Sequence, residues 1–453
     1  MAPTSPKRPP EMPAGGPAPC GAPCGAAPCP PLRFRGWAVV AGSFTVQALS
    51  FGAVYSFPAF AEPLQRSFGA SPTSLSLVYA ASGAMAFATG AVSGPLADRF
   101  GARLPVSLGM VVIALGFLLA ARAGSFVEVQ LCYGLMVGLG AGLAYVPALA
   151  VVQRWFVAWR GLASGLATAG VGCGTALVPV SASLLAACGE WRDAFPIAAL
   201  VIAALGLSAA QLLAHSPERC GLLPDGGARP GPPASAGCTA SGVEGLALRE
   251  ALRGRRFAAL MAGCILLSAP IALPYAELVP TARARGMGPE AALWLLGLIG
   301  LGSILGRLAI GAAADRLGRP RTLLACCLGL AASMAWWAEA GGPASFAAFA
   351  LGFGIVQGGF VALLPSAVVD LYGRRSAGGI IGTIFAGRAL SVLLAPPLAA
   401  ALSAAAGHSV PLLLMAGAAL LGTALLAGAL RAGDAAGPLP APLPPAEPRR
   451  AVV

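Results

Sequence analysis

The chain has 453 residues, of which 57% are hydrophobic and only 10% charged, against the roughly 25% charged residues of an ordinary soluble domain. That balance excludes a water-soluble globular protein and implies one dissolved in a lipid bilayer. The net charge of +12 is no sign of a nucleic-acid surface, because its basic residues are sorted along the chain rather than gathered into one patch.

In chain order, residues 1–36 read as a disordered cytoplasmic tail. Its stretch GPAPCGAPCGAAPCP, with Cys20, Cys24 and Cys29, is of low complexity, and it has no apolar core of a signal peptide. The only histidines, His215 and His408, stand apart from the other cysteines, so neither a metal nor any other cofactor is expected. Twelve apolar stretches follow, at about 37–60, 73–97, 103–123, 127–152, 160–186, 194–214, 256–281, 290–313, 321–340, 345–369, 376–403 and 409–431, each near the about 20 residues that span a bilayer. Residues 215–255 are polar and rich in Pro and Gly, a cytoplasmic linker between six spans (37–214) and six more (256–431). Residues 432–453 read as a second disordered tail.

With the N-terminus in the cytoplasm, the inner segments hold 22 of the 29 basic residues and the outer loops five (Arg66, Arg122, Arg192, Arg283 and Arg285). This is the positive-inside pattern, and it predicts that both termini are cytoplasmic. The remaining two, Arg307 and Arg388, fall inside spans.

The two halves repeat with one offset of 217 residues. GPLADRFGAR from Gly94 aligns with GAAADRLGRP from Gly311, pairing Asp98 with Asp315, Arg99 with Arg316 and Gly101 with Gly318. The same offset pairs Gly69 with Gly286, Val151 with Val368 and Gly165 with Gly382. Such a tandem repeat places a solute site between two six-helix bundles. Glycines Gly94 and Gly311 allow helices to approach closely, while Asp98 and Asp315, with Arg99 and Arg316 beside them, are placed to lock one conformer of a rocking bundle.

G-x-x-x-D-R-x-G after the second span, repeated after the eighth, resembles the signature of the major facilitator superfamily over nearly the whole chain. The resemblance implies an all-α membrane protein of twelve transmembrane helices in two six-helix pseudo-repeats. The stretch RWFVAWRGLASG, through Trp155, Phe156, Arg160, Leu162, Ala163 and Gly165, resembles the fifth-span motif of the monocarboxylate transporters; Gly36, Trp37, Tyr55, Phe57 and Pro58 are similar to that family's opening. Where that family carries an acid and a lysine for proton coupling, this chain has Ser303 and Ala59, while Arg307 matches its eighth-span arginine. Basic residues in both the eighth and eleventh spans are similar to the layout of the oxalate:formate antiporters.

Arg388 lies 13 residues beyond Arg375, near 20 Å from the cytoplasmic end at about 1.5 Å per residue, too deep to snorkel. Arg307 lies eight residues before Asp315, around 12 Å from that end by the same rise, where snorkelling competes with a role inside. No Asp or Glu sits at comparable depth, since Glu62, Glu277 and Glu290 cluster toward the outer face. A charge so placed should face the bundle interior or water, and a solute carboxylate can supply the missing counter-ion through two parallel hydrogen bonds. Tyr55, Tyr145 and Tyr275 are the further candidates to orient such a solute, by a hydroxyl beside an apolar ring.

No G-x-x-x-x-G-K-[ST] occurs, which argues against ATP drive. The spans show no nucleophile with its base, which argues against an enzyme. The expected function is secondary transport of a small organic anion, a mono- or dicarboxylate, by alternating access in the plasma membrane (the inner membrane in a bacterium). Protons enter as a coupling ion if the mode is symport, and not if it is exchange. A carrier of neutral or drug-like solutes and a non-transporting receptor on the same fold are the alternatives.

Overall fold

The computed structural model describes residues 34–188, 191–217, 222–226 and 245–434. Both expected tails, apart from the short segments adjoining spans 1 and 12, and most of the linker lie outside the described residues. Lipid offers no hydrogen bond to a bare N–H or C=O, so an apolar run that crosses it must satisfy its own backbone, and a helix does so within one segment. Among the described residues, twelve helices long and apolar enough to cross follow in order. They are span 1 (Gly36–Phe60), span 2 (Leu77–Phe100), span 3 (Arg103–Ala121), span 4 (Phe126–Trp155), span 5 (Arg160–Val178), span 6 (Trp191–Leu212), span 7 (Arg255–Ala284), span 8 (Glu290–Leu317), span 9 (Arg319–Glu339), span 10 (Pro343–Tyr372), span 11 (Ala377–Ala406) and span 12 (Ser409–Arg431). Each overlaps one expected stretch, and no strand occurs among the described residues.

The repeat is visible in the backbone. Gly101 and Gly318, one offset apart, end spans 2 and 8 with φ of 90° and 96°, a left-handed conformation that glycine adopts without a Cβ penalty. Buried apolar side chains fall into two cores. One runs from Val39 to Leu222. The other is built on Ala251 to Leu430 and takes in Phe51, Tyr145, Val146 and Leu149 from spans 1 and 4, so these four side chains cement one half to the other.

Two spans bend beside the centre. Span 1 breaks at Ser56, between the helices Gly36–Tyr55 and Phe57–Phe68, because Pro58 has no amide hydrogen to continue the ladder. Beside the break, Ser56 Oγ donates to the Ala53 carbonyl at 2.9 Å and lies 2.9 Å from the Tyr133 hydroxyl, which itself donates to Ala53. Tyr133 comes from the π-helical segment Gln130–Val137 of span 4, one of the wide turns that recur at functional sites. Span 2 bends at Thr89, whose hydroxyl donates to the Met85 carbonyl at 2.8 Å.

At the end opposite Asp98 and Asp315, His408 meets the ring of Trp337 at 6.1 Å and its Nε2 is buried without a partner. Burial, and then the Arg285 cation, hold its pKa below the ordinary value. Protonation is therefore disfavoured in the folded state, and stability is expected to fall as pH drops through the ordinary histidine value of about 6.5. A melting-temperature series in detergent checks this: the acid slope should shrink in His408→Gln, and an equal slope in that variant would show another group to be responsible.

Candidate anion site and its lock

Arg307 on span 8 and Arg388 on span 11 are 3% and 4% exposed. Neither forms an ion pair, and among the described residues no carboxylate reaches either of them. Arg307 does not snorkel. Its guanidinium packs against Gly172 of span 5, where a Cβ would stand 3.0 Å from Nη1 and 2.6 Å from Ile304, and its Nε and Nη1 are buried with no hydrogen-bond partner. Arg388 donates from Nε to Ser268 Oγ on span 7 at 2.8 Å. It lies over three rings, with Cζ 4.9 Å from the centroid of Phe385, 5.4 Å from Phe87 and 5.9 Å from Phe360. Ser391, one turn on, donates to the Ile265 carbonyl at 2.6 Å and fixes span 11 against span 7.

The expected tyrosines gather around these cations. Tyr55 and Tyr145 are each within electrostatic range of both arginines. Tyr275, 37% exposed, lies within electrostatic range of Arg307 and of Tyr55. Tyr79 of span 2, not anticipated from the sequence, packs edge-on against Tyr55 with ring centroids 5.7 Å apart. Ser303, one turn before Arg307, donates to Gln357 of span 10 at 2.9 Å. Gly300, seven residues before Arg307 and so on the same face of span 8, has open space before it. Further along, Glu290, Leu293, Trp294 and Gly297 line a groove of about 300 Å³. Two guanidiniums with no carboxylate beside them among the described residues, four phenols and several rings thus stand together, a set of groups chemically suited to an anion with an apolar body. Because Gly172 leaves room for Arg307, Gly172→Val is expected to weaken anion binding about ten- to a hundredfold by overpacking, measured as the half-saturating concentration, whereas Gly300→Val should change it little.

Toward the opposite face of the site, the halves close over one another in two related contacts. Asp98, at the end of span 2, accepts from the Gly378 and Gly379 amides at 3.0 and 2.7 Å, at the start of span 11. Asp315, at the end of span 8, accepts from the Gly161 and Leu162 amides, both at 2.9 Å, at the start of span 5. Each carboxylate thus caps a helix of the other half, where free N–H groups and the helix dipole both favour an anion. Glycine makes the approach possible: a Cβ on Gly94 would stand 2.0 Å from the Gly378 carbonyl, and one on Gly311 2.7 Å from that of Gly161.

The arginines at these contacts are not the ones expected there. Arg99 and Arg316 are exposed; Arg99 lies over Phe100, and neither pairs with the carboxylate next to it in sequence. Adjacent helical residues point about 100° apart, so a side chain beside an inward-facing Asp is turned away from it. Instead Arg154 of span 4 donates to Asp98 Oδ1 at 2.5 Å. Arg319 donates from Nε to Asp315 at 3.0 Å and from Nη1 to Asp370 at 3.2 Å, and Arg160 also pairs with Asp370. Asp225 in the linker holds the turn before span 5 through the Val157 and Ala158 amides.

Comparison with known proteins agrees with this architecture. The family model for the Major Facilitator Superfamily matches residues 43–299 and 258–452. Monocarboxylate transporter 11 of Homo sapiens is 29% identical over 424 residues, 90% of this chain and 86% of that one. The same transporter of Mus musculus is 30% identical, covering 82% of this chain and 81% of that one. Among solved structures, the human organic anion transporter MFSD10 superposes with a TM-score of 0.65 at 19% identity over 88% of this chain and 100% of that one, a likeness of fold alone. The chain belongs to the major facilitator superfamily, is similar across most of its length to monocarboxylate transporters, and is a multi-pass membrane transporter.

Proposed function

We propose that the protein is a secondary active transporter of a small organic anion, a mono- or dicarboxylate, bound between Arg307 and Arg388. The observation that carries this reading is that two buried guanidiniums, on spans 8 and 11, have no carboxylate among the described residues to neutralise them. An uncompensated charge at membrane depth is costly, and a solute carboxylate removes that cost through paired charge-assisted hydrogen bonds. Tyr55, Tyr145 and Tyr275 would orient the solute from both halves.

Alternating access would follow from the lock. With both termini in the cytoplasm, as the distribution of basic residues favours, the end held by Asp98 and Asp315 is the cytoplasmic one, and the described conformer would be closed on the cytoplasmic side. Gly94 and Gly311 would let the lock close, with Arg154 and Arg319 in the roles anticipated for Arg99 and Arg316. The similarity to monocarboxylate transporters favours a carboxylate cargo over a neutral one.

Purified protein in proteoliposomes tests this directly. Counterflow of radiolabelled carboxylates is expected, with none for neutral sugars or cationic drugs of similar size, and flux of only the latter would refute the reading. Repeating the assay with an imposed pH gradient separates proton symport, in which the gradient drives accumulation, from exchange, in which only carboxylate on the far side does.

A further inference from the structure

Phe87 of span 2 and Phe385 of span 11 belong to opposite halves, yet their rings lie nearly parallel, 9° apart with centroids separated by 6.0 Å. One turn further along both helices the Gly90 and Gly382 backbones meet, then Gly94 and Gly378, then Asp98 with the first amides of span 11. The ring pair is therefore the first layer of the closed seam below the arginine site. Tyr145 and Phe51 brace it from spans 4 and 1, with Tyr145 5.3 Å from Phe385 and 4.7 Å from Phe51. The Arg388 guanidinium rests on this layer, over both rings at once.

We infer that the Phe87–Phe385 pair is a latch sensed by Arg388, holding the seam shut while the site is empty and releasing it when an anion is bound. The inference rests on the anion reading above. A bare guanidinium attracts the faces of both rings, one from each half, and so draws the halves together; the attraction comes from its positive charge acting on the ring quadrupoles. A carboxylate approaching the N–H edge leaves the ring faces in place but neutralises that charge, and the bridge between halves weakens. The empty carrier then reorients slowly and the loaded one quickly, so that anion on one side is moved mainly against anion on the other.

The test compares exchange with net efflux in proteoliposomes, using radiolabelled lactate and oxalate as probes. Wild type is expected to exchange either probe faster than it releases it into probe-free buffer. In Phe87→Leu and in Phe385→Leu, net efflux should rise roughly five- to tenfold relative to exchange, and Phe385→Tyr, which keeps the ring, should restore the wild-type ratio. A merely structural role would lower both fluxes together and leave the ratio unchanged, which would overturn the latch while the carboxylate reading stands. A wild type that carries neither probe nor any other carboxylate would overturn both. A second readout needs no transport: Thr383→Cys, two residues beyond Phe385 toward the lock, should react with a membrane-impermeant thiol reagent added at the lock end faster in the Phe385→Leu background, and faster in wild type when oxalate is present. Equal rates in all three conditions would contradict the latch.

Discussion

Arg388→Ala is expected to abolish carboxylate counterflow, and Arg388→Lys to restore only a small part of it. The side chain is 4% exposed, fixed through Nε by Ser268 and stacked over Phe385 and Phe87. Its planar fork is therefore oriented before any solute arrives, so little rotamer entropy is lost on binding. Removing one partner of a buried charge pair costs about 3–5 kcal/mol, which corresponds to a loss of more than a hundredfold in apparent affinity. Lysine keeps the charge but can neither give two parallel hydrogen bonds nor stack flat on a ring. Arg307→Ala should lose flux as well, since its Nε and Nη1 have no other partner. Wild-type counterflow in Arg388→Ala, with equal protein in the vesicles, would remove this residue from the site.

The second large effect is on the lock. Asp98→Asn and Asp315→Asn each take the charge from a carboxylate that caps a helix of the opposite half and pairs with a guanidinium, Arg154 in one case and Arg319 in the other. A cap contributes about 1 kcal/mol and the helix dipole as much again, so the conformer closed at that end should lose ten- to a hundredfold in population. Thiol labelling of cysteines placed along the seam, or distances between spin labels on spans 2 and 11, would register the shift. Gly94→Val should do the same by steric means, because its first side-chain atom would overlap the Gly378 carbonyl. Populations unchanged in all three variants would mean that the halves are held by something other than these contacts.

The architecture was largely legible in the sequence because lipid leaves so few options. An apolar run of about 20 residues in a bilayer is a helix, and landmarks repeated at one offset carry over into geometry, down to the matching backbones of Gly101 and Gly318. Arg307 and Arg388 stood out for the same reason, as charges without company. The partners were not legible. A helix in lipid is apolar on every face, so no amphipathic stripe says which side looks inward. Gly172, Ser268, Tyr79 and the Phe87–Phe385 pair were therefore indistinguishable from ordinary packing residues. Arg154 was hidden behind Arg99 because it reaches Asp98 from two spans away. The Arg319–Asp370 contact joins spans 9 and 10 across 51 residues.

The most direct test of the two-arginine site is equilibrium binding of radiolabelled oxalate and lactate to the purified transporter in lipid nanodiscs, compared with the double variant Arg307→Gln, Arg388→Gln. Saturable binding of at least one probe to the wild type, lost in the double variant while its melting profile stays cooperative, is the predicted result. Binding of equal strength in the double variant would contradict the site.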